Sequence, residues 1–346
     1  MSPTKTDSSL STEQLANDIL STIERERERE IVAKRFGLFD RKETLEQIGE
    51  SLGITRERVR QLEKSVVSRL KQSAEQGKLP HIADFEAMVL TKLETVGNIA
   101  KISALTDMLV KDSNREEQSR VSFLSELSPN LVTITEDDYY YPAVAAKSAF
   151  DEKTIKSSVD SIIAAIAKFG EPKKIDAIAK SAGVSDQKQA QALAGVSKQL
   201  ATLNNHWGLV KWPMVNPKNI RDKIYVILKE NGKHMHFNEI AAAIKESDFK
   251  RKDVTTQAIH NELIKDKRFV LIGRGIYALK EWGYQKGTVA DIIAEVLKEA
   301  SEPLHRDEIV KRVLKSRFVK ETTILLNLQG KSQFKRVAKA TYELAE

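Results

Sequence analysis

The sequence predicts a mainly α-helical chain, a helix-turn-helix domain followed by four tandem winged helices, each of three helices and a β-hairpin. Three observations predict it. Residues 44–70 carry apolar side chains at helical spacing on both sides of a glycine turn. Beyond residue 80, four turns recur in one apolar register, which is the mark of an internal repeat. Each repeat closes on a pair of period-two apolar runs, the pattern of a hairpin. The expected segments are a disordered tail over 1–12, the helix-turn-helix over 13–76, and winged helices over 84–145, 154–212, 218–284 and 288–346.

The N-terminal part is read first. Residues 1–12 are rich in Ser and Thr and predict disorder. Leu15, Ile19 and Ile23 begin a helix, and Glu24 to Glu30 alternate in charge sign, which reads as a solvated segment. In TLEQIGESLGITRERVRQLEKSVVSRL, Thr44 and Gln47 form a capping box and Leu45, Ile48 and Leu52 share one face. Gly53 ends that helix and Thr55 caps the next. In the second helix Val59, Leu62, Val66 and Leu70 make a buried stripe, opposite Arg56, Glu57, Arg60, Gln61 and Lys64. Side chains of that kind reach base edges in a major groove, where arginine pairs with guanine, glutamine with adenine, and glutamate accepts from cytosine. A polar helix face is more often simply solvated, so periodicity alone does not decide. Gly77 and Pro80 mark a boundary.

The repeats follow. Their turns are Gly97-Asn98-Ile99, Gly170-Glu171-Pro172, Gly232-Lys233-His234 and Ser301-Glu302-Pro303. Before them stand the pairs Val89 and Leu93, Ile162 and Ile166, Ile224 and Leu228, and Ile293 and Leu297; after them come Leu105, Ile178, Ile240 and Ile309. The expected hairpins are Leu131-Ile134-Tyr139-Tyr141, Leu200-Leu203-Trp207-Leu209, Phe269-Ile272-Tyr277-Leu279 and Phe334-Val337-Tyr342-Leu344. Most aromatics thus fall at hairpin core positions, which favours packing over a stacking platform for single strands. Arg274, at the tip of the third wing, has no apolar neighbour to cover and is a candidate for DNA contact.

Composition limits the function. The 346 residues contain no cysteine, which excludes a disulfide framework and thiolate metal sites. No signal-peptide pattern and no apolar run long enough to cross a bilayer is present, so a soluble cytoplasmic, nucleoid-associated protein is expected. The net charge of +7 is uneven: segment sums are +1 for 1–80, −5 for 81–150, +3 for 151–216 and +8 for 217–346. A basic part beside an acidic one suits a chain that holds nucleic acid with one and protein with the other. His236 and His305 occupy equivalent places before a helix and read as structural, since no carboxylate or thiolate spacing completes a metal shell. There is no phosphate loop, nucleophile elbow or H-E-x-x-H, so no enzyme, cofactor or small-molecule substrate is expected.

Two stretches resemble known families. RERERE at 25–30, RFGL at 35–38 and TRERVRQLE within 44–70 closely resemble region 4 of the bacterial primary sigma factors, over about residues 19–70. The resemblance implies recognition of a promoter −35 element, with base contact from Arg56, Glu57 and Gln61 and phosphate contact from Arg60. Ser65 stands where that family commonly carries a lysine, which implies weaker backbone affinity. IYVILKENGKHMHFNEIAAAI and GRGIYALKEWGY, within about 220–284, resemble the HARE-HTH domain of the RNA polymerase delta subunit, and 288–346 looks like a diverged copy.

The expected function is that of a transcription factor that binds double-stranded promoter DNA and couples to the bacterial RNA polymerase core through its winged helices. Two alternatives stand beside it: a delta-like polymerase-associated subunit acting mainly by protein contacts, and a DNA-binding component of a restriction or nucleoid system. The resembled sigma factors melt DNA with a domain that precedes region 4. Only about 18 residues, mostly polar and without any aromatic, precede the resemblance here, so strand opening without another sigma factor is not expected.

Overall fold

The computed structural model describes residues 11–345, which hold sixteen α-helices and four three-stranded antiparallel sheets. They form two compact units, divided between Val210 and Lys211. Of the expected tail, residues 1–10 lie outside the described residues. Thr12 is already helical, and Ser11 caps that helix by accepting the Gln14 amide.

The first unit opens with α1 (Thr12–Ser21), α2 (Glu26–Phe36), α3 (Leu45–Leu52) and α4 (Arg56–Glu75). Thr44 and Gln47 form the capping box, Gly53 takes the left-handed C-cap, and Thr55 accepts the Arg58 amide. Gly49 lets the two helices close up, since a Cβ there would lie 2.7 Å from the Ile54 carbonyl. Ile31, Ile48 and Val59 are buried together, with Leu45, Leu52 and Leu62 packed around them. One expectation holds only in part. Glu24 to Arg27 of the alternating-charge run are exposed, but within α2 Glu28 is 5% exposed and ion-paired with Arg25 and Arg69. Its place three and four residues before Ile31 and Val32 puts it on the packed face, where strict sign alternation cannot keep every charge outside.

Four repeats of one topology follow. The first is α5 (Ile82–Val96), β1 (Ile99–Lys101), α6 (Ile102–Leu109), α7 (Arg115–Leu127), β2 (Leu131–Ile134) and β3 (Ala143–Ala146). The second is α8 (Glu152–Phe169), β4 (Lys173–Lys174), α9 (Ile175–Ala182), α10 (Gln187–Val196), β5 (Leu200–Leu203) and β6 (His206–Leu209). The second unit holds α11 (Ile220–Asn231), β7 (Met235–His236), α12 (Phe237–Glu246), α13 (Thr256–Lys265), β8 (Phe269–Gly273) and β9 (Ile276–Leu279). Last come α14 (Val289–Ala300), β10 (Leu304–His305), α15 (Arg306–Ser316), α16 (Glu321–Gly330), β11 (Phe334–Ala338) and β12 (Thr341–Leu344). In every repeat the final strand lies between the other two. The short first strand, directly after the turn, is an element the sequence pattern does not reveal.

The first hairpin differs from expectation. Leu131 pairs with Ala146 and Ile134 with Ala143, so the returning strand is Ala143–Ala146 and not Tyr139 to Tyr141. The tyrosines lie in the connecting loop, which bonds to the second repeat: Tyr141 N donates to Val196 O at 2.9 Å and Lys198 N to Tyr139 O at 2.7 Å. Tyr139 is exposed, while Tyr140 is buried.

The third helices of the repeats are used in different ways. In the first unit one core runs through α1, α2, α4, α5, α6 and α7, and it includes Leu79 and Ile82 on either side of the Pro80 turn. Helix α7 buries Arg120, Val121, Phe123, Leu124, Ser125 and Leu127, more than one face, and packs against α1, α2 and α4 as well as α5 and α6. The Phe123 ring lies 4.9 Å from Phe36, and Arg120 Nε donates to Leu38 O at 2.7 Å. Helix α10 packs on β1 and α5, and a Cβ on Gly97 would come within 2.7 Å of the Gln189 backbone. By contrast α13 buries only Ile259 and Leu263, and α16 only Ile324 and Leu328. The last two repeats join elsewhere, through Phe318 N donating to Ile272 O at 3.1 Å.

Candidate nucleic-acid interface

Helix α4 presents the residues singled out by sequence. Its buried stripe is Val59, Val66, Val67, Leu70 and Ala74, so the first half of the helix holds α3 and the second half enters the large core. That division leaves Arg56, Glu57, Arg60, Gln61 and Lys64 exposed together. Arg60 grips Glu57 with two hydrogen bonds, at 2.9 and 2.7 Å. Gln61 Nε2 donates to the same carboxylate at 3.4 Å. The Arg60 guanidinium holds the Glu57 carboxyl below the usual range, and Glu57 in turn raises Arg60. The free face is therefore a small network of opposite charges, rich in donors and acceptors and without a metal-binding group.

Sequence reasoning missed Arg58. It is exposed, and its Nη1 donates to Gln61 Oε1 at 3.4 Å, which places it beside the exposed face of α4. The signal was available, because residues three apart on a helix are neighbours. Also missed was a groove of about 870 Å³ along α4, lined by Arg35, Lys42, Arg60, Lys64, Ser68 and Lys71, with Glu126 of α7 among its walls. Arg35 pairs with Glu63 at 3.3 Å and Lys71 with Glu126 at 3.1 Å. Only folding brings Lys42 and Glu126 to the same cleft.

The remaining candidates lie apart from α4 in sequence. Arg274 is exposed in the turn between β8 and β9, in the second unit. Its turn is held by Gly275, where a Cβ would meet the His236 ring at 2.5 Å. His236 and His305 are N-caps of α12 and α15, each accepting a backbone amide at 3.3 Å through Nδ1. Among the described residues no group of His, Cys, Asp or Glu could hold a metal ion. No helix there is long and apolar enough to cross a membrane.

The geometry of α2 to α4 defines a helix-turn-helix with an exposed second helix. Residues 25–72 match the family described as Sigma-70, region 4. The RNA polymerase sigma factor RpoD of Helicobacter pylori, in strains 26695 and J99, is 50% identical over 48 residues. The match covers 13% of this chain and 7% of each relative, so the chain spans a small fraction of the proteins it resembles. The family match starts at Arg25 and includes α2, α3 and most of α4, while α1 precedes it.

Proposed function

We propose that this chain is a DNA-binding, transcription-related protein without catalytic activity, in which α4 reads a −35-type promoter element. The carrying observation is the exposed Arg56, Glu57, Arg60, Gln61 and Lys64 face within the matched segment. Arg56, Glu57 and Gln61 meet base edges, Arg60 and Lys64 serve phosphate, and Arg274 adds a contact from the third wing. The four repeats are winged helices, the last two of HARE-HTH type, and they couple the reader to the RNA polymerase core in the cytoplasm. Linked modules raise overall affinity through effective concentration, so none needs to bind tightly alone. Selection from a random duplex pool tests the reading: a consensus must emerge, and it must be lost in the Arg56→Ala and Gln61→Ala proteins. A pool that stays random overturns it.

A second reading has its own support. The third helices α7 and α10 are occupied by joints and cannot enter a groove, as a polymerase-associated subunit acting by protein contacts would allow. Footprinting on the selected duplex with and without core polymerase separates the two. Protection by the chain alone favours the reader; protection that requires polymerase favours the subunit.

A further inference from the structure

On the third repeat, Leu263 and Ile264 of α13, Phe269 and Leu271 of β8, Tyr277 of β9 and Lys286 line a recess of about 220 Å³. Leu263, Phe269 and Tyr277 form its buried floor, while Ile264 and Leu271 stand 62% and 46% exposed at its mouth. Strand alternation explains Leu271. Val270 and Ile272 face the opposite side, packed with Ala278, Trp282 and Tyr284, whereas Leu271 shares the side of the buried Phe269 and projects past it into solvent.

The fold does not require this apolar mouth. The third and fourth repeats keep one register, Ile259, Leu263, Phe269 and Tyr277 corresponding to Ile324, Leu328, Phe334 and Tyr342. In that register Ile264 corresponds to Gln329 and Leu271 to Arg336, both polar and exposed. The third repeat also exposes Lys265, Lys267 and Lys286, where Gly330 and Ser332 take the first two places in the fourth. Its neighbouring acids are engaged internally: Glu262 with Arg221 at 3.4 Å, and Asp266 with Arg268 at 2.8 Å.

We propose that this recess docks an acidic peptide segment of a protein partner, with one bulky apolar side chain seated between Ile264 and Leu271 and carboxylates meeting the lysines. Exposed apolar side chains around a pocket with a charged rim have the layout of a protein contact. Duplex DNA is the poorer occupant, because the mouth offers carbon where phosphate needs donors. The proposal is independent of the reading by α4.

Methyl NMR on the full chain tests it, with the acetylated, amidated peptide Glu-Asp-Glu-Trp-Glu-Asp-Glu as probe. The expected result is saturable shifts centred on the Ile264 and Leu271 methyls. An alanine in place of the tryptophan should weaken binding about tenfold or more, as loss of an aromatic anchor does. Ile264→Gln with Leu271→Arg, which installs what the fourth repeat already carries in this fold, should weaken it by at least as much. A random-sequence duplex should not displace the peptide. Absent or scattered shifts, equal binding of both peptides, unchanged affinity in the double variant, or displacement by the duplex would each overturn the proposal.

Discussion

Helices α7 and α13 hold the same place in the first and third repeats, yet one is enclosed and the other open. Both follow the second helix, precede the hairpin, and are joined to it by a short turn. The difference lies in what covers the outer face. Helix α7 puts Phe123 against Phe36 and Arg120 against the Leu38 carbonyl, so its outer face belongs to the helix-turn-helix. Helix α13 carries Gln257, Asn261 and Ile264 outward into solvent. Shared topology therefore fixes the inner face of a repeat, and only side-chain choice on the outer face decides whether a helix serves as a support or as a surface.

The comparison breaks most directly at the seam. Phe123→Ala should cost about 3–5 kcal/mol, as large-to-small changes in a core do, and should lower the stability of the first repeat and the helix-turn-helix together. Ile264→Ala, on an exposed side chain, should stay within about 0.5 kcal/mol. Urea unfolding followed by circular dichroism measures both, and equal losses would remove the distinction.

The second joint offers a finer test. Gly97 and Gly170 end corresponding helices, with φ of 100° and 70°. An alanine at either place meets the left-handed penalty of about 1–2 kcal/mol. At Gly97 it also meets the Gln189 backbone, adding about 1–3 kcal/mol of overpacking, whereas nothing lies within 4 Å of a Cβ at Gly170. Thermal melts of the two variants should differ by that added strain.

Base preference should distinguish α4 from α7. Arg56→Ala and Gln61→Ala should each lose about 1–3 kcal/mol of discrimination at one base position. Arg115→Ala, exposed at the start of α7, should leave the preference unchanged in the same competition assay. The smallest effect is expected at the turn between β8 and β9, where Arg274→Ala should reduce the log-log salt slope of duplex binding by about 0.9 if it neutralises one phosphate.

Much of this was legible in sequence because it is local. The Thr44 capping box, the Gly53 turn and the stripe from Val59 to Leu70 depend on residues within two turns of one another. The register of the repeats was equally readable, since apolar residues four and eight apart survive in every copy. What could not be read is non-local. Glu28 finds Arg69, and Phe36 finds Phe123, only after folding. The first hairpin was misplaced because three tyrosines mimic strand spacing, while the true strand, Ala143–Ala146, is mostly alanine and carries little β preference. Two-residue strands such as Lys173–Lys174 have no periodicity to detect.

The core that unites α4 with α7 also sets a timetable for synthesis. Val66, Val67 and Leu70 belong to one cluster with Phe123, Leu124 and Val144, which lie more than fifty residues further along the chain. While the N-terminal end emerges from the ribosome, α2, α3 and the start of α4 can gather around Ile48, but the second half of α4 lacks its seat. That seat includes α7, which exists only once Leu127 has been made. A nascent chain therefore completes α4 together with its first repeat, and a product truncated between the two would display the Arg56 to Lys64 face without the support that orients it.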